Sequence, residues 1–283
     1  MTVAFGVQGS SPLLAGVPHP RHYRLIAEAA EAAGFDSLWA SDHVAFHHPL
    51  LDVTVALATF AAVTERISLG AGVLLLPLRA PALVAREYAS LDYVSGGRVI
   101  LGVGVGGEVP ADFAAVAVPI RERGARTNES MRALRTLFAQ QAPAPAQPNG
   151  PPLWVGGRSD AAIRRARELG DGWFPLWVSP ERYAEGLAQV GAGKTAAIVL
   201  PALVGGTIEE ARQYLSRRYA TEFTSHAVER YCVVGSQAEC AERVAQYVEA
   251  GAEHVVFHPA VEPDGLQRQI DLLAEVVGVA AAR

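Results

Sequence analysis

Two adjacent polar residues, Asp42 and His43, follow a short apolar run. An imidazole with a carboxylate neighbour changes protonation near neutral pH, so His43 could act as a base, an acid or an oriented donor. The alternative is a loop histidine whose polar groups are simply satisfied. His47, His48 and Asp52 lie nearby and raise the question of a metal, but adjacent histidines point apart on most backbones and no His-x-His pair marks the first strand. We therefore expect no metal site.

A second candidate is the segment Gly-Gly-Arg-Ser-Asp at 156–160, which leads from an apolar run into a helical pattern. The glycines Gly156 and Gly157 let backbone N–H groups approach an anion at the positive end of a helix, and Arg158 and Ser159 add further donors. The same residues also fit a plain tight turn in which Ser159 caps the helix. On these residues alone, both interpretations remain open.

A third candidate is the glycine-rich stretch 102–108, which superficially matches a GxGxxG dinucleotide loop. The match is poor, because the stretch lies on the fourth predicted strand and a valine–proline pair at 118–119 argues against a helix soon afterwards. We predict a loop over 106–122 and reject the dinucleotide-binding fold. Small residues such as Gly104 instead indicate that the backbone passes close to a flat group, with Glu108 as a candidate acid in the same pocket.

The elements that must position these residues alternate between β-rich apolar runs and helical stretches with capping signals. Strands are predicted at 3–7, 37–40, 67–76, 99–103, 153–155, 172–174, 196–204 and 253–257. Such alternation predicts parallel strands joined by crossover helices, and eight repeats favour a closed (β/α)8 barrel over an open doubly wound sheet. In that barrel, functional residues follow the C-terminal ends of strands, where the candidates above and His258 fall.

Composition limits the class of protein. The 283 residues suit one barrel domain spanning 1–283, and the net charge of -5 offers no basic surface for nucleic acid. No apolar run is long enough to span a membrane, and the N-terminus lacks the charged and apolar regions of a signal peptide, so we expect a cytoplasmic protein. The two cysteines, Cys232 and Cys240, form neither a CxxC pair nor a disulfide framework, and we expect both thiols to be inert.

Five segments in the same order resemble the bacterial luciferase-like superfamily of flavin and deazaflavin oxidoreductases. They are GFDSLWASDH at 34–43, LGAGV at 69–73, the stretch from Leu91-Asp92 through SGGR to LGVG at 91–104, PLWVGG at 152–157 and DGW at 171–173. The resemblance covers nearly the whole chain. It implies a (β/α)8 barrel, a reduced flavin or coenzyme F420 at the C-terminal mouth of the barrel, and a homodimer.

The resemblance also implies roles for individual residues. Asp42 and His43 match the acid and histidine beside the cofactor ring, and the segment 156–159 matches the loop that takes the cofactor phosphate. Gly72 and Val73 match the bulge after strand three, where the deazaflavin branch often has a non-prolyl cis peptide bond. The residues implied to bind the cofactor are Asp42, Gly72, Val73, Gly104, Gly156, Gly157, Arg158 and Ser159. Sugar-phosphate dehydrogenases of this branch carry Gly-x-Gly-x-Gly-Glu, but Gly107 occupies the place of the acid here and Glu108 is displaced by one.

The resulting hypothesis is an F420-dependent oxidoreductase that moves a hydride between deazaflavin C5 and a small organic substrate, with His43 and Glu108 as the candidates for handling the proton. The compact chain lacks the long insertions of flavin monooxygenases, which favours F420 over FMN. The nearest alternative is a two-component monooxygenase that uses FMNH2. Two further alternatives are a non-catalytic flavin-binding protein and a metal-dependent hydrolase built on His43, Asp42 and His258.

Overall fold

A computed structural model describes residues 3–10 and 19–281, and nine strands and eleven α-helices lie in this part of the chain. The strands are β1 (Ala4–Ser10), β2 (Ser37–Ala40), β3 (Ser68–Leu75), β4 (Val99–Gly104), β5 (Leu153–Gly156), β6 (Gly172–Phe174), β7 (Thr195–Val204), β8 (Val233–Gly235) and β9 (His254–Pro259). The helices are α1 (Arg21–Ala32), α2 (Val53–Ala61), α3 (Pro81–Ser95), α4 (Pro110–Ala115), α5 (Arg123–Phe138), α6 (Asp160–Leu169), α7 (Pro180–Val190), α8 (Ile208–Tyr219), α9 (Ser225–Tyr231), α10 (Gln237–Glu249) and α11 (Leu266–Ala281). Within these residues, no helix is both long and apolar enough to cross a membrane.

Eight of the strands close into a parallel barrel. They pair in the order β6-β5-β4-β3-β2-β1-β9-β7, and β6 also pairs with β7, which closes the ring. The predicted (β/α)8 barrel is therefore confirmed. The short strand β8 stays outside the ring: it pairs with the last residues of β7, where Ala202 has Pro259 of β9 on one side and Val233 of β8 on the other.

Several predicted element boundaries were wrong. The sequence pattern missed β8 and α9, and β1 runs on to Ser10, so Gln8 lies within the strand and not after it. His258 likewise lies inside β9. The predicted loop over 106–122 contains α4, which begins at Pro110, because proline is well suited to the first position of a helix, where no N–H partner is needed.

Capping boxes, Thr207 with Glu210 and Ser236 with Glu239, begin α8 and α10. In each box the hydroxyl accepts from the backbone N–H three residues on, while the glutamate accepts from the cap residue's own N–H. These caps fix where the chain leaves β7 and β8. They therefore set the position of α8, which contributes to the mouth of the barrel.

The proline-rich connection between α5 and β5 crosses the end of the barrel opposite the mouth. Gln147 within it donates from its side-chain amide to the Asp92 carboxylate and to the Val99 carbonyl, both at 2.8 Å. Val99 begins β4, so this contact lies at the N-terminal ends of the strands. The connection therefore leaves the mouth free of its chain.

Aromatic side chains fill the inside of the barrel, and glycines on the strands leave the space that these side chains need. Trp39 is fully buried, with its ring centroid 4.5 Å from that of Phe174 and 5.5 Å from that of Trp154. A Cβ on Gly70 would lie 2.2 Å from the Trp39 ring, so only glycine allows that side chain to cross the barrel. Because side chains alternate along a strand, this interior layer fixes which residues of each strand reach the mouth.

A satellite cluster packs beside the mouth. Helices α8 and α9 and strand β8 enclose it, and its aromatic rings are Trp177, Tyr219, Phe223 and Tyr231. Trp177 follows β6 and lies 4.9 Å from Phe223 and 5.6 Å from Tyr219, centroid to centroid. The cluster therefore holds the C-terminal part of α8 against the loop that follows β6.

Candidate active site

His43 lies directly after β2, at the mouth of the barrel, as predicted. Its side chain is 21% exposed, and its ring stacks on Phe46 with 4.2 Å between centroids. The carboxylate that contacts the imidazole belongs to Asp112 and not to the adjacent Asp42: His43 Nδ1 lies 2.8 Å from Asp112 Oδ2. The acid–histidine pair is therefore formed across the mouth, between the loops that follow β2 and β4.

Asp112 was missed by the sequence analysis. It lies in the first turn of α4, its side chain is 2% exposed, and its second oxygen accepts the backbone N–H groups of Val44 and Ala45, both at 2.7 Å. A carboxylate can only accept in these bonds, so the proton of the imidazole lies on His43 Nδ1. His43 Nε2 is consequently left as the basic nitrogen.

Asp42 bonds to β3 and Arg79 and not to the adjacent His43 imidazole. Its side chain is fully buried, with one oxygen accepting the Leu75 N–H at 2.9 Å and the other accepting Arg79 Nη2 at 2.6 Å. Burial raises the pKa of the carboxyl, while the Arg79 charge and the Leu75 N–H oppose that rise. Asp42 thus ties the His43 loop to the C-terminal end of β3.

The peptide bond between Gly72 and Val73 is cis, as the resemblance implied. It lies within β3 and not after it, at a point where the pairing with β4 shifts register between Ala71 and Leu74. The half-buried Val73 side chain fills the space left by two glycines of the neighbouring strands. A Cβ on Gly104 would lie 2.4 Å from Val73 Cγ2, and one on Gly156 would lie 3.0 Å from Val73 Cγ1. We call Val73 with Gly104 and Gly156 the glycine-backed wall of the mouth.

The segment 156–159 forms the turn from β5 into α6. Gly157 has a φ of 98°, a conformation that favours glycine, and its carbonyl accepts from Trp173 Nε1 at 2.9 Å. Ser159 is the N-cap of α6, with its hydroxyl accepting the Ala162 N–H. Within the part of the chain that the structure describes, Arg158 is exposed and forms no hydrogen bond or ion pair. The turn therefore combines a helix N-terminus with an unengaged guanidinium.

Glu108 is exposed and follows two glycines with positive φ, Gly106 and Gly107. It lies four residues before Asp112, on the same loop, and it is near enough to Tyr219 to raise the pKa of that phenol. Within the part of the chain that the structure describes, no hydrogen bond or ion pair joins Glu108 to His43. Its role as an acid stays a prediction.

The histidines and acids at the mouth do not assemble as metal ligands in this part of the molecule. Across residues 3–10 and 19–281, no group of three or more His, Cys, Asp or Glu side chains is arranged to hold a metal ion. Asp42 is bonded to Arg79, and His258 lies inside the barrel with a pKa held well below its ordinary value by burial and by the positive charge of Arg218. The hydrolase alternative gains no support from this arrangement.

Comparison with known proteins identifies the family of this chain. The model of the luciferase-like monooxygenase family matches residues 1–225. This protein therefore belongs to the luciferase-like family, and it is an oxidoreductase.

Relatives in this family include an uncharacterised protein of Mycobacterium tuberculosis, 34% identical over an alignment of 214 positions that covers 61% of this chain and 73% of that protein. An F420-dependent glucose-6-phosphate dehydrogenase from Kineococcus radiotolerans is 33% identical over 52% of this chain and 50% of its own length. Among solved structures, a monooxygenase from Streptomyces bottropensis superposes with a TM-score of 0.81 at 20% identity, covering 96% of this chain and 98% of that one. An F420-dependent secondary alcohol dehydrogenase superposes with a TM-score of 0.80 at 17% identity, covering 99% of both chains. At these identities, the structural matches establish the fold alone.

Proposed function

We propose that this protein is a coenzyme F420-dependent oxidoreductase that transfers a hydride between C5 of the deazaflavin and a small organic substrate. The observation that carries the proposal is the mouth of the barrel, where an oriented imidazole and the glycine-backed wall lie on adjacent strands. His43 follows β2 with Nδ1 fixed by Asp112, and Val73 lies on β3. This is the arrangement expected for a flat ring held beside a base.

Curated relatives favour this cofactor. The Kineococcus radiotolerans relative is named as F420-dependent, and a second relative, 28% identical over 64% of this chain, is named as a putative coenzyme F420-dependent oxidoreductase of Mycobacterium tuberculosis. The alternative is an FMN-dependent monooxygenase. It is supported by a 4-hydroxyprotoasukamycin monooxygenase of Streptomyces nodosus, 34% identical over 42% of this chain.

The residues of the mouth fit a ring with a phosphate-bearing tail. Val73 is backed by Gly104 and Gly156 and presents an apolar surface, while the exposed turn at Arg158 offers a cation beside the unpaired N–H groups of a helix start. Asp160 in the same first turn is 76% exposed and directed toward Arg182, so its charge is partly offset. The ring would lie against Val73, and the phosphate would bind at Arg158.

The protein supplies orientation and proton transfer, and coenzyme F420, when bound, supplies or accepts the hydride. His43 Nε2 is the nitrogen left free to take a proton from the substrate heteroatom as the substrate carbon is oxidised, and it returns that proton in the reverse direction. The Asp112 carboxylate stabilises the imidazolium that forms. Glu108 is the second candidate for a proton donor, from the loop that follows β4.

The test is a titration of the purified protein with F420 and, separately, with FMN, following tryptophan fluorescence. Trp39 and Trp154 lie in the barrel interior below the mouth, and Trp177 lies beside it, so a bound ring is expected to change their emission. Tight binding of F420 with weak binding of FMN supports the proposal. Preference for FMN moves the function to the monooxygenase, and binding of neither overturns the cofactor assignment.

Substitution of the phosphate turn gives a second test. Arg158→Ala is expected to weaken F420 binding about tenfold, because one charge-assisted hydrogen bond to a phosphate contributes about 1.4 kcal/mol at an exposed site. The matched control is Arg164→Ala, which removes an exposed arginine from the next turn of α6 and should leave the affinity unchanged. Equal losses in both variants would show a general effect of charge, and the phosphate assignment would then fail.

A homodimer and a cytoplasmic location belong to the same proposal. Sedimentation velocity on the purified chain tests the dimer directly, since a monomer at micromolar concentration would contradict it. Fractionation of the source cells tests the location.

A further inference from the structure

The most unusual group at the mouth is a buried arginine with no acceptor for part of its guanidinium. Arg218 is 3% exposed, and its Nε and Nη1 atoms are both buried without a hydrogen-bond partner. No carboxylate among the described residues forms an ion pair with it. Burying an unpaired charge is costly, and an anion bound at the guanidinium would offset that cost.

Arg218 and its neighbour Tyr219 contact two of the loops that surround the mouth. It lies in the last turn of α8, and its own carbonyl accepts from His47 Nε2 at 3.0 Å, so the loop that carries His43 rests on this helix end. Its guanidinium carbon lies 5.4 Å from the ring centroid of Tyr219, which in turn packs on Trp177 after β6. Arg218 is therefore held where the loops after β2, β6 and β7 meet.

The interior of the barrel supplies the third side. His254 lies 5.1 Å from Trp154 and Val256 belongs to the barrel interior, so alternation along β9 places His258 on the same inward face, one layer nearer the mouth. The Arg218 charge is close enough to lower the pKa of His258. The guanidinium thus lies over the open end of the barrel, on the side of the mouth that β9 and β7 form.

Two acidic side chains lie near this region without pairing with Arg218. Burial raises the pKa of Tyr214, and Glu262 is near enough to add to that rise while the Arg218 charge opposes it. The Glu262 Oε1 pairs with Arg217 Nη2 at 2.9 Å, and its Oε2 is buried without a hydrogen-bond partner. Glu108 is exposed on another loop. Neither carboxylate lies within ion-pairing distance of the Arg218 guanidinium, so an internal counter-ion is missing on the described part of the protein.

We infer that Arg218 binds an anionic group of the substrate, a carboxylate or a phosphate, at the side of the mouth opposite the glycine-backed wall. The inference rests on the proposed function, because it places the substrate between Arg218 and the cofactor ring. A guanidinium is the side chain best suited to either oxyanion, since its fork of N–H donors matches their paired oxygens. The substrate class is accordingly a small organic anion.

The test uses inorganic phosphate and succinate as probes, with sodium chloride to hold the ionic strength constant. Wild-type protein is expected to show a rise in Tm and a change in Trp177 emission as either probe saturates, since a ligand that binds only the folded state raises Tm. Arg218→Met is expected to lose both responses, with the affinity falling at least about tenfold. The matched control, Arg212→Met, removes an arginine that pairs with Glu209 on the same helix and should respond as wild type does.

The Tm without probe separates binding from structure. Arg218→Met should match or exceed the wild-type Tm, because it removes an unpaired buried charge and keeps the apolar stem. If Arg218→Met has a lower Tm than wild type and the wild type does not respond to either probe, the guanidinium is structural. Equal probe responses in wild type, Arg218→Met and Arg212→Met would show adventitious anion binding only. Either result overturns the inference.

The source of the anion is settled by the F420 affinity of Arg218→Met. An affinity within about twofold of wild type supports a substrate anion, whereas a loss of about tenfold assigns Arg218 to the cofactor's own acidic groups and overturns the substrate assignment. If wild type binds the anions through Arg218 but does not bind F420, the proposed function fails while the anion site stands. The two failures are therefore distinguishable.

Discussion

Replacing Asp112 by asparagine tests whether the His43 imidazole is oriented for proton transfer. In the wild type, Asp112 Oδ2 accepts from His43 Nδ1 at 2.8 Å, while Oδ1 accepts two backbone N–H groups. Asparagine keeps one acceptor oxygen for those N–H groups but presents an NH2 to the imidazole. Nδ1 must then accept that hydrogen, and the proton of the ring moves to Nε2.

The expected loss is large for catalysis and modest for stability. A base whose acceptor nitrogen carries the wrong proton forfeits general acid–base catalysis, which contributes about 10²–10⁴-fold to the rate. For folding, the two N–H bonds at 2.7 Å change from a charged to a neutral acceptor, at about 1 kcal/mol each, so unfolding should become about 2 kcal/mol easier. Asp112→Ala removes all three bonds and should cost about 4 kcal/mol.

Two measurements separate these effects. Nitrogen-15 NMR of the imidazoles reports the tautomer without any substrate, with the His43 signals assigned by their loss in His43→Gln. Single-turnover oxidation of the reduced cofactor then reports the rate, and Asp271→Asn on the exposed face of α11 is the matched control. If Asp112→Asn is folded and His43 keeps its proton on Nδ1, or if the rate stays within about threefold of wild type, the orienting role of Asp112 is refuted.

Two further outcomes are expected. Burial lowers the pKa of His254 to about 4, so the unfolded chain binds a proton at this histidine at a higher pH than the folded protein does. Between pH 6.5 and pH 4.5, the free energy of unfolding should therefore fall by about 2.5 kcal/mol more in the wild type than in His254→Gln. Urea unfolding curves at the two pH values measure this difference. A loss of equal size in both proteins would contradict this. Gly104→Ala places a methyl group against Val73 and should lower stability by about 1–3 kcal/mol and weaken ring binding, whereas Gly278→Ala, with no atom within 4 Å of the new Cβ, should do neither in thermal melts and F420 titrations.

The barrel could be predicted because each repeat of strand and helix is locally encoded. Apolar runs, capping boxes and a proline at the start of α7 specify their elements without reference to distant residues. The parts that were missed lack such signals. Strand β8 has three residues, Val233–Gly235, and pairs only with the end of β7, so its identity as a strand depends on tertiary contact.

The same distinction explains what could be predicted of the site. His43 was found because strand β2 ends just before it, but its partner Asp112 is 69 residues away and no periodicity connects the two. Adjacent residues suggested Asp42 as the partner, yet the backbone directs that side chain to Leu75 and Arg79. Pairing between loops of a barrel depends on how each loop folds back over the mouth, which one sequence does not specify.

The glycines illustrate how a correct pattern can have a different immediate cause. Small residues at the mouth were taken to mean that backbone passes close to a flat ligand, but in the structure Gly104 and Gly156 first make room for Val73 of the neighbouring strand. A larger residue at either position would push Val73 toward the centre of the mouth. The glycines therefore control the depth of the space that remains for a ring, and they do so through a side chain that belongs to β3. The side chain that forms this wall and the glycines that set its position therefore lie on different strands, so a substitution on β4 or β5 is expected to change the wall on β3.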